Sequence, residues 1–110
     1  MLEDTTRINM LYDFYGNLLT DKQRECLELY YQDDLSLAEI ADNSGISRQG
    51  VHDLIKRAVK TLEKAEEKLA LVKRFMDQEK ELRRLRGILA GDIGPGERRE
   101  ALAIVDRLLD

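Results

Sequence analysis

The stretch Leu35-Ser36-Leu37-Ala38-Glu39-Ile40-Ala41-Asp42-Asn43-Ser44-Gly45-Ile46-Ser47-Arg48-Gln49-Gly50-Val51-His52-Asp53-Leu54-Ile55-Lys56-Arg57-Ala58-Val59-Lys60-Thr61-Leu62 decides the fold. Ser36 followed three residues later by Glu39 is a capping box, which opens a short helix. Ile40 and Ala41 form its inner side, and the small Ala41 lets a second helix cross close by. Gly45, four residues on, sits where a tight turn needs positive φ. Ile46 plugs the corner and Ser47 caps the next helix. Val51, Leu54, Ile55, Ala58, Val59 and Leu62 then recur at helical spacing as one apolar face. The opposite face carries Arg48, Gln49, His52, Asp53, Lys56, Arg57 and Lys60. Together these make a helix-turn-helix whose second helix has the layout of a recognition helix. The same corner also serves trihelical cores that bind protein, so the motif alone leaves DNA binding and protein contact both open.

The rest of the chain suits a helical protein. Of its 110 residues, 36% are charged and 5% aromatic, with a single proline, a balance that disfavours a sandwich or barrel. The length allows one domain, or one domain with an appendage. No run approaches the roughly 18 apolar residues a membrane span requires, and no signal peptide is expected. The lone Cys26 offers no disulfide within the chain and suits a reducing cytoplasm. It lies beside Leu27 on an apolar helix face, so a buried core thiol is expected rather than a nucleophile. Net charge is −4, unevenly spread: −7 over residues 1–46, +4 over 47–74 and −1 over 75–110. The one basic region thus begins at the recognition helix, where a polyanion can dock, while the acidic half before it weakens non-specific binding.

In chain order, residues 1–7 are polar and expected to fray, with Asp4, Thr5 and Thr6 as candidate caps. Ile8, Leu11, Tyr12, Tyr15 and Leu18 repeat at three and four, predicting a first amphipathic helix that Gly16 weakens near its end. Thr20 with Gln23 is a second capping box, opening a helix whose inner face is Cys26, Leu27 and Tyr30. Gln32-Asp33-Asp34 is the loop into the helix-turn-helix.

The helix opened by Ser47 meets no stop signal for about ten turns. Ile55, Leu62, Leu69 and Met76 recur every seven residues, with Ala58, Ala65 and Val72 between them, as in an a/d seam. Glu79 falls on the next d position, and a shifted stripe of Phe75, Leu82, Leu85 and Leu89 takes over, which predicts a kink or a change of packing partner. The seam suits either a helix folded back on its own core or a dimer. Asp92-Ile93-Gly94-Pro95-Gly96 is a turn, with Pro95 as first residue of a final helix striped by Ala101, Leu102, Val105, Leu108 and Leu109. The expected fold is therefore all-α: a helix-turn-helix core over residues 1–74 and a dimerising helical extension over 75–110. No strand or Gly-Lys-Ser/Thr accompanies the glycines, so a hinge is expected there rather than a phosphate loop.

Catalysis is not expected, and neither is a cofactor or a metal. His52, the only histidine, belongs to the recognition face, and no Cys/His cluster has metal-ligand spacing. Glu63, Glu66 and Glu67 interleave with Lys60, Lys64 and Lys68 as intrahelical pairs on a solvated face. Asp33-Asp34 reads as a turn rather than an acid/base dyad.

The run Leu19-Thr20-Asp21-Lys22-Gln23-Arg24-Glu25, then Leu37-Ala38-Glu39-Ile40-Ala41 and Gly45-Ile46-Ser47-Arg48-Gln49-Gly50-Val51, resembles region four of bacterial sigma factors, which reads promoter DNA. With Leu11-Tyr12-Asp13-Phe14-Tyr15-Gly16-Asn17-Leu18 and Tyr30-Tyr31-Gln32-Asp33-Asp34-Leu35 added, the chain resembles the small bacterial YlxM-like proteins from about Ile8 to Leu85. That resemblance implies a stand-alone sigma-region-four module encoded beside the signal recognition particle GTPase. It implies a regulatory or adaptor role in that targeting pathway, with the particle RNA, its GTPase or both as partners. DNA, read by a transcriptional regulator, is the alternative. Carried onto this chain, the nucleic-acid face is Ser47, Arg48, Gln49, His52, Lys56, Arg57 and Lys60. Two residues depart from a DNA reader: Gly50 costs roughly 1 kcal/mol of helix stability relative to Ala, and Asp53 sets a negative charge among the phosphate contacts. A cytoplasmic homodimer completes the expectation.

Overall fold

A computed structural model describes residues 4–110, and every described element is helical. In order they are α1 (Thr5–Tyr15), a 3-10 turn (Gly16–Leu18), α2 (Asp21–Tyr31), α3 (Leu37–Ser44), α4 (Arg48–Leu69), α5 (Leu71–Ala90) and α6 (Pro95–Leu109). The described residues divide into two compact units, 4–72 and 73–110.

The capping residues place the helices of the first unit. Thr20 Oγ1 accepts from the Gln23 N–H at 3.1 Å while Gln23 Oε1 accepts from the Thr20 N–H at 3.0 Å. Ser36 and Glu39 do the same at 3.1 and 3.0 Å. Each box satisfies two backbone donors that a helix start leaves without partners. Asp4, one of the expected candidate caps, does cap α1: its Oδ1 accepts from the Thr6 N–H, and the helix starts at Thr5, inside the segment expected to fray. The fraying expected of residues 1–3 lies outside the described residues. The α1 stripe also ends differently. The 3-10 turn shifts the phase, so Leu19 is buried and Leu18 faces solvent. Gly16 leaves room in that turn: a Cβ there would stand 3.1 Å from the Tyr12 ring, which would have to shift by a few tenths of an ångström.

Around α4 the four helices close one core. Ile8 and Leu11 of α1, Cys26 and Leu27 of α2, Ile40 of α3, and Val51, Ile55, Ala58 and Leu62 of α4 are all sealed from solvent. Tyr31, rather than Tyr30, is the buried tyrosine of α2; the two rings meet edge to face at 5.0 Å. Burial pushes the Cys26 thiol above its ordinary pKa, which disfavours the reactive thiolate. Native protein is therefore expected to react with a thiol reagent only as fast as it unfolds; rapid labelling without denaturant would contradict the packing.

The long helix is not continuous. Ala70 takes a left-handed conformation, φ 52° and ψ 34°, and ends α4. The break is held from a distance. Tyr15 Oη donates to Glu66 Oε1 at 2.6 Å and accepts from the Leu71 N–H at 2.9 Å, and Glu66 Oε1 accepts from the Val72 N–H at 3.0 Å. A tyrosine of α1 and a glutamate of α4 thus cap the first backbone donors of α5. The heptad seam is overturned at the same point: Ile55, Ala58, Leu62 and Val72 are buried, but Leu69 and Met76 are exposed. Glu63 and Glu66 likewise reach α1, Glu63 by a forked pair with Arg7 at 2.7 and 3.0 Å, instead of serving only a solvated face. Left-handed geometry costs a residue with a Cβ roughly 1 kcal/mol, so Ala70→Gly is expected to stabilise the protein by up to about 1 kcal/mol. Chemical denaturation of both chains checks it.

The second unit is a helical hairpin. The backbone N–H of Gly94 donates to Glu97 Oε1, and Pro95 is the first residue of α6 as expected. Ion pairs from Arg84 to Glu100 and from Arg107 to Glu81 join the two helices, and Ile104 is the one buried residue of the hairpin.

Candidate nucleic-acid interface

Between α3 and α4 the chain makes the corner its residues predict. Gly45 ends α3 with φ 71°, and its N–H donates to the Ala41 carbonyl. Ser47 Oγ accepts from the Gly50 N–H at 2.9 Å and caps α4. A Cβ on Gly50 would come within 3.1 Å of that oxygen, so the small residue leaves the cap room.

A residue advance of about 100° per position distributes the candidate residues over the outer surface of α4. Arg48 and His52 lie on the flank toward α3, sharing a shallow hollow with Leu37 and Gln49. His52, Lys56 and Lys60 continue along that flank, and Arg57 stands about a quarter turn beyond Lys56. Ser47, Arg48, Gln49, Lys56, Arg57 and Lys60 are exposed and His52 is half-buried. Among the described residues, Arg48, Lys56, Arg57 and Lys60 make no ion pair. Four cations are therefore presented along one helix.

Asp53 lies in the middle of this surface. Its Oδ1 accepts from Gln49 Nε2 at 3.0 Å and stands 3.5 Å from His52 Nδ1. The Gln49 hydrogen bond, with His52 second, holds its carboxyl below the ordinary range. Asp53 therefore stays ionised at neutral pH and engages the amide that a base reader would need. Asp53→Asn removes a like-charge penalty against phosphate, and tighter polyanion binding at low salt is expected, the gain fading as salt screens it. A titration showing equal affinity for both chains would remove Asp53 from the interface.

Two features were missed by reading residues alone. Lys64 is exposed one turn beyond Lys60 and extends the basic surface; its alternation with glutamates had marked it as half of an intrahelical pair. A groove of about 370 Å³ also runs beside α4, with Tyr31, Ile55 and Val59 below and His52, Lys56 and Lys60 at its edge. Nothing in the spacing of α4 brings Tyr31 of α2 there; only the helix crossing does.

A helix-turn-helix with a capped second helix and a cationic outer surface defines the class: this is a helix-turn-helix protein. The chain belongs to the UPF0122 family, whose model, described as "Putative helix-turn-helix protein, YlxM / p13 like", matches residues 2–90. A UPF0122 protein of Bacillus pumilus is 50% identical over 101 residues, spanning 92% of this chain and 91% of the relative. UPF0122 proteins of Bacillus cereus and Bacillus anthracis are 50% identical over 90 residues, 82% of each chain. No helix among the described residues is long and apolar enough to cross a membrane, and those residues hold no cluster of metal-ligating side chains.

Proposed function

We propose that this protein acts in the cytoplasm without catalysis, as a regulatory or adaptor component of the signal recognition particle pathway. It binds the particle RNA, its GTPase or both, and does so as a homodimer. The pathway comes from the YlxM-like resemblance. The mode of binding is carried by one observation: Arg48, Lys56, Arg57 and Lys60 stand exposed along α4, in a segment of net charge +4, while residues 1–46 carry −7. The basic helix suits phosphate and the acidic segment suits a cationic protein surface. Such a division sets orientation and on-rate more than affinity.

RNA helices present a major groove too deep and narrow for side chains to read, so contact is by backbone and shape. Modest sequence selectivity with strong salt sensitivity follows. The alternative, a transcriptional regulator reading DNA, is favoured by the exposure of Arg48 and Gln49 in the first turn of α4, where recognition helices meet base edges. Capture of tagged protein from a bacterial lysate, with identification of bound RNA and protein, separates the two. Recovery of particle RNA or GTPase supports the adaptor; recovery of specific DNA with neither overturns it.

A further inference from the structure

The hairpin of residues 73–110 leaves large apolar side chains more than a third exposed, and their arrangement names what can cover them. Phe75, Leu82 and Leu89 follow one another at intervals of seven along α5, and all are exposed, Leu82 at 53%. Leu102, Val105 and Leu109 form a matching exposed stripe on α6. The polar links between the helices lie elsewhere: Arg84 stands about 200° around α5 from Leu82, and Arg107 about 200° around α6 from Val105. One side of the hairpin is therefore closed by the Arg84–Glu100 and Arg107–Glu81 ion pairs, and the other is an apolar sheet of side chains. A two-helix unit with one buried residue does not bury enough surface to be stable exposed in this way.

We propose that this face pairs with the same face of a second copy, forming an antiparallel four-helix bundle about a two-fold axis at the level of Leu82. The proposal rests on the homodimer in the reading above and assigns its surface. The face is self-complementary, as an isologous interface requires. An axis at Leu82 sets Phe75 against Leu89 of the second copy, each seven residues from the centre. It also brings Glu79, which pairs with Arg83 of its own helix, beside Arg86 of the second copy, so opposite charges meet at the edge of the seam. The ion pairs place Leu82 about level with Ile104 and Val105. The same axis therefore faces Leu102 of α6 toward Leu109 of the second copy, three and four residues to either side of Val105. The middle of the α6 stripe thus falls within about two residues of the level of Leu82. A partner of a different sequence would have no reason to match that spacing.

The test uses the full chain. Leu82→Cys places two thiols at the axis, and Lys80→Cys, on the opposite side of α5, is the control; buried Cys26 stays in place. Mild oxidation is expected to link Leu82→Cys chains covalently in pairs and to leave Lys80→Cys chains largely unlinked. Glu79→Arg, facing Arg86 of the second copy, is expected to weaken the dimer roughly tenfold or more in sedimentation, and adding Arg86→Glu to restore it. If the native chain dimerises but Leu82→Cys links no faster than the control, the homodimer stands and this face is wrong. If the native chain sediments only as monomer at high micromolar concentration, both fail. Neither result touches nucleic-acid binding by α4, which is read separately.

Discussion

Replacing Lys56 and Arg57 together by Ala is expected to weaken binding to signal recognition particle RNA by about 10- to 100-fold at moderate salt. The dependence of log affinity on log salt should flatten by roughly 1.5 to 2. Each cation that displaces condensed counterions contributes nearly one unit of slope, and both side chains stand exposed on α4 without an ion pair among the described residues. Being adjacent in sequence, they diverge by about 100°, so they grip neighbouring phosphates rather than one. Neither touches the core, and the double variant should keep its helix content and melting temperature. Lys22→Ala, a charge removed beside Glu25 in the acidic segment, should leave affinity nearly unchanged. An unaltered slope in the double variant would mean that α4 serves packing or protein contact.

Leu62→Ala and Leu69→Ala are expected to differ sharply, although both residues occupy the same position of one heptad seam. Leu62 is sealed against α1 and the rest of the core. Removing its branched end loses transfer energy and leaves a cavity, at a cost of about 3 kcal/mol. Against a total stability of roughly 5–15 kcal/mol, that lowers the melting temperature by roughly 10–20 °C. Leu69 is 53% exposed, so truncating it should change stability by less than about 0.5 kcal/mol. Chemical denaturation of both variants measures the contrast. Equal, large losses would mean that α4 and α5 run on as one helix with an uninterrupted seam.

That contrast marks where the residues could be read and where they could not. Ser36 with Glu39, Thr20 with Gln23, Gly45, Ser47 and Pro95 act through neighbours three or four positions away, so their roles are local and each lies where its spacing predicts. The buried stripe of α4 is equally local up to Leu62. The break at Ala70 is not. It depends on a hydroxyl from Tyr15, whose partner Leu71 lies 56 positions along the chain, and on a glutamate that reads as surface charge until the fold brings the two together. Ala carries no stop signal of its own, so the helical periodicity runs straight through it. The phase change was expected at Glu79, where the apolar pattern shifts; the chain turns nine residues earlier because capping, not patterning, decides helix ends. For the interface, the cationic residues of α4 were legible from periodicity. The link from Asp53 to Gln49 follows from their separation of four, whereas charge alone predicts only repulsion. The groove over Tyr31 required the crossing of α2 and α4.

On the proposed reading, the outer surface of α4 holds the particle RNA by its backbone. Its most direct test is a fluorescence titration of the native protein, at low and at physiological salt, with that RNA and with a duplex DNA of equal length and arbitrary sequence. Tighter binding to the RNA at both salts, with affinity falling steeply as salt rises, is the predicted result. Binding that favours the DNA, or no salt-sensitive binding to the RNA at all, would contradict it.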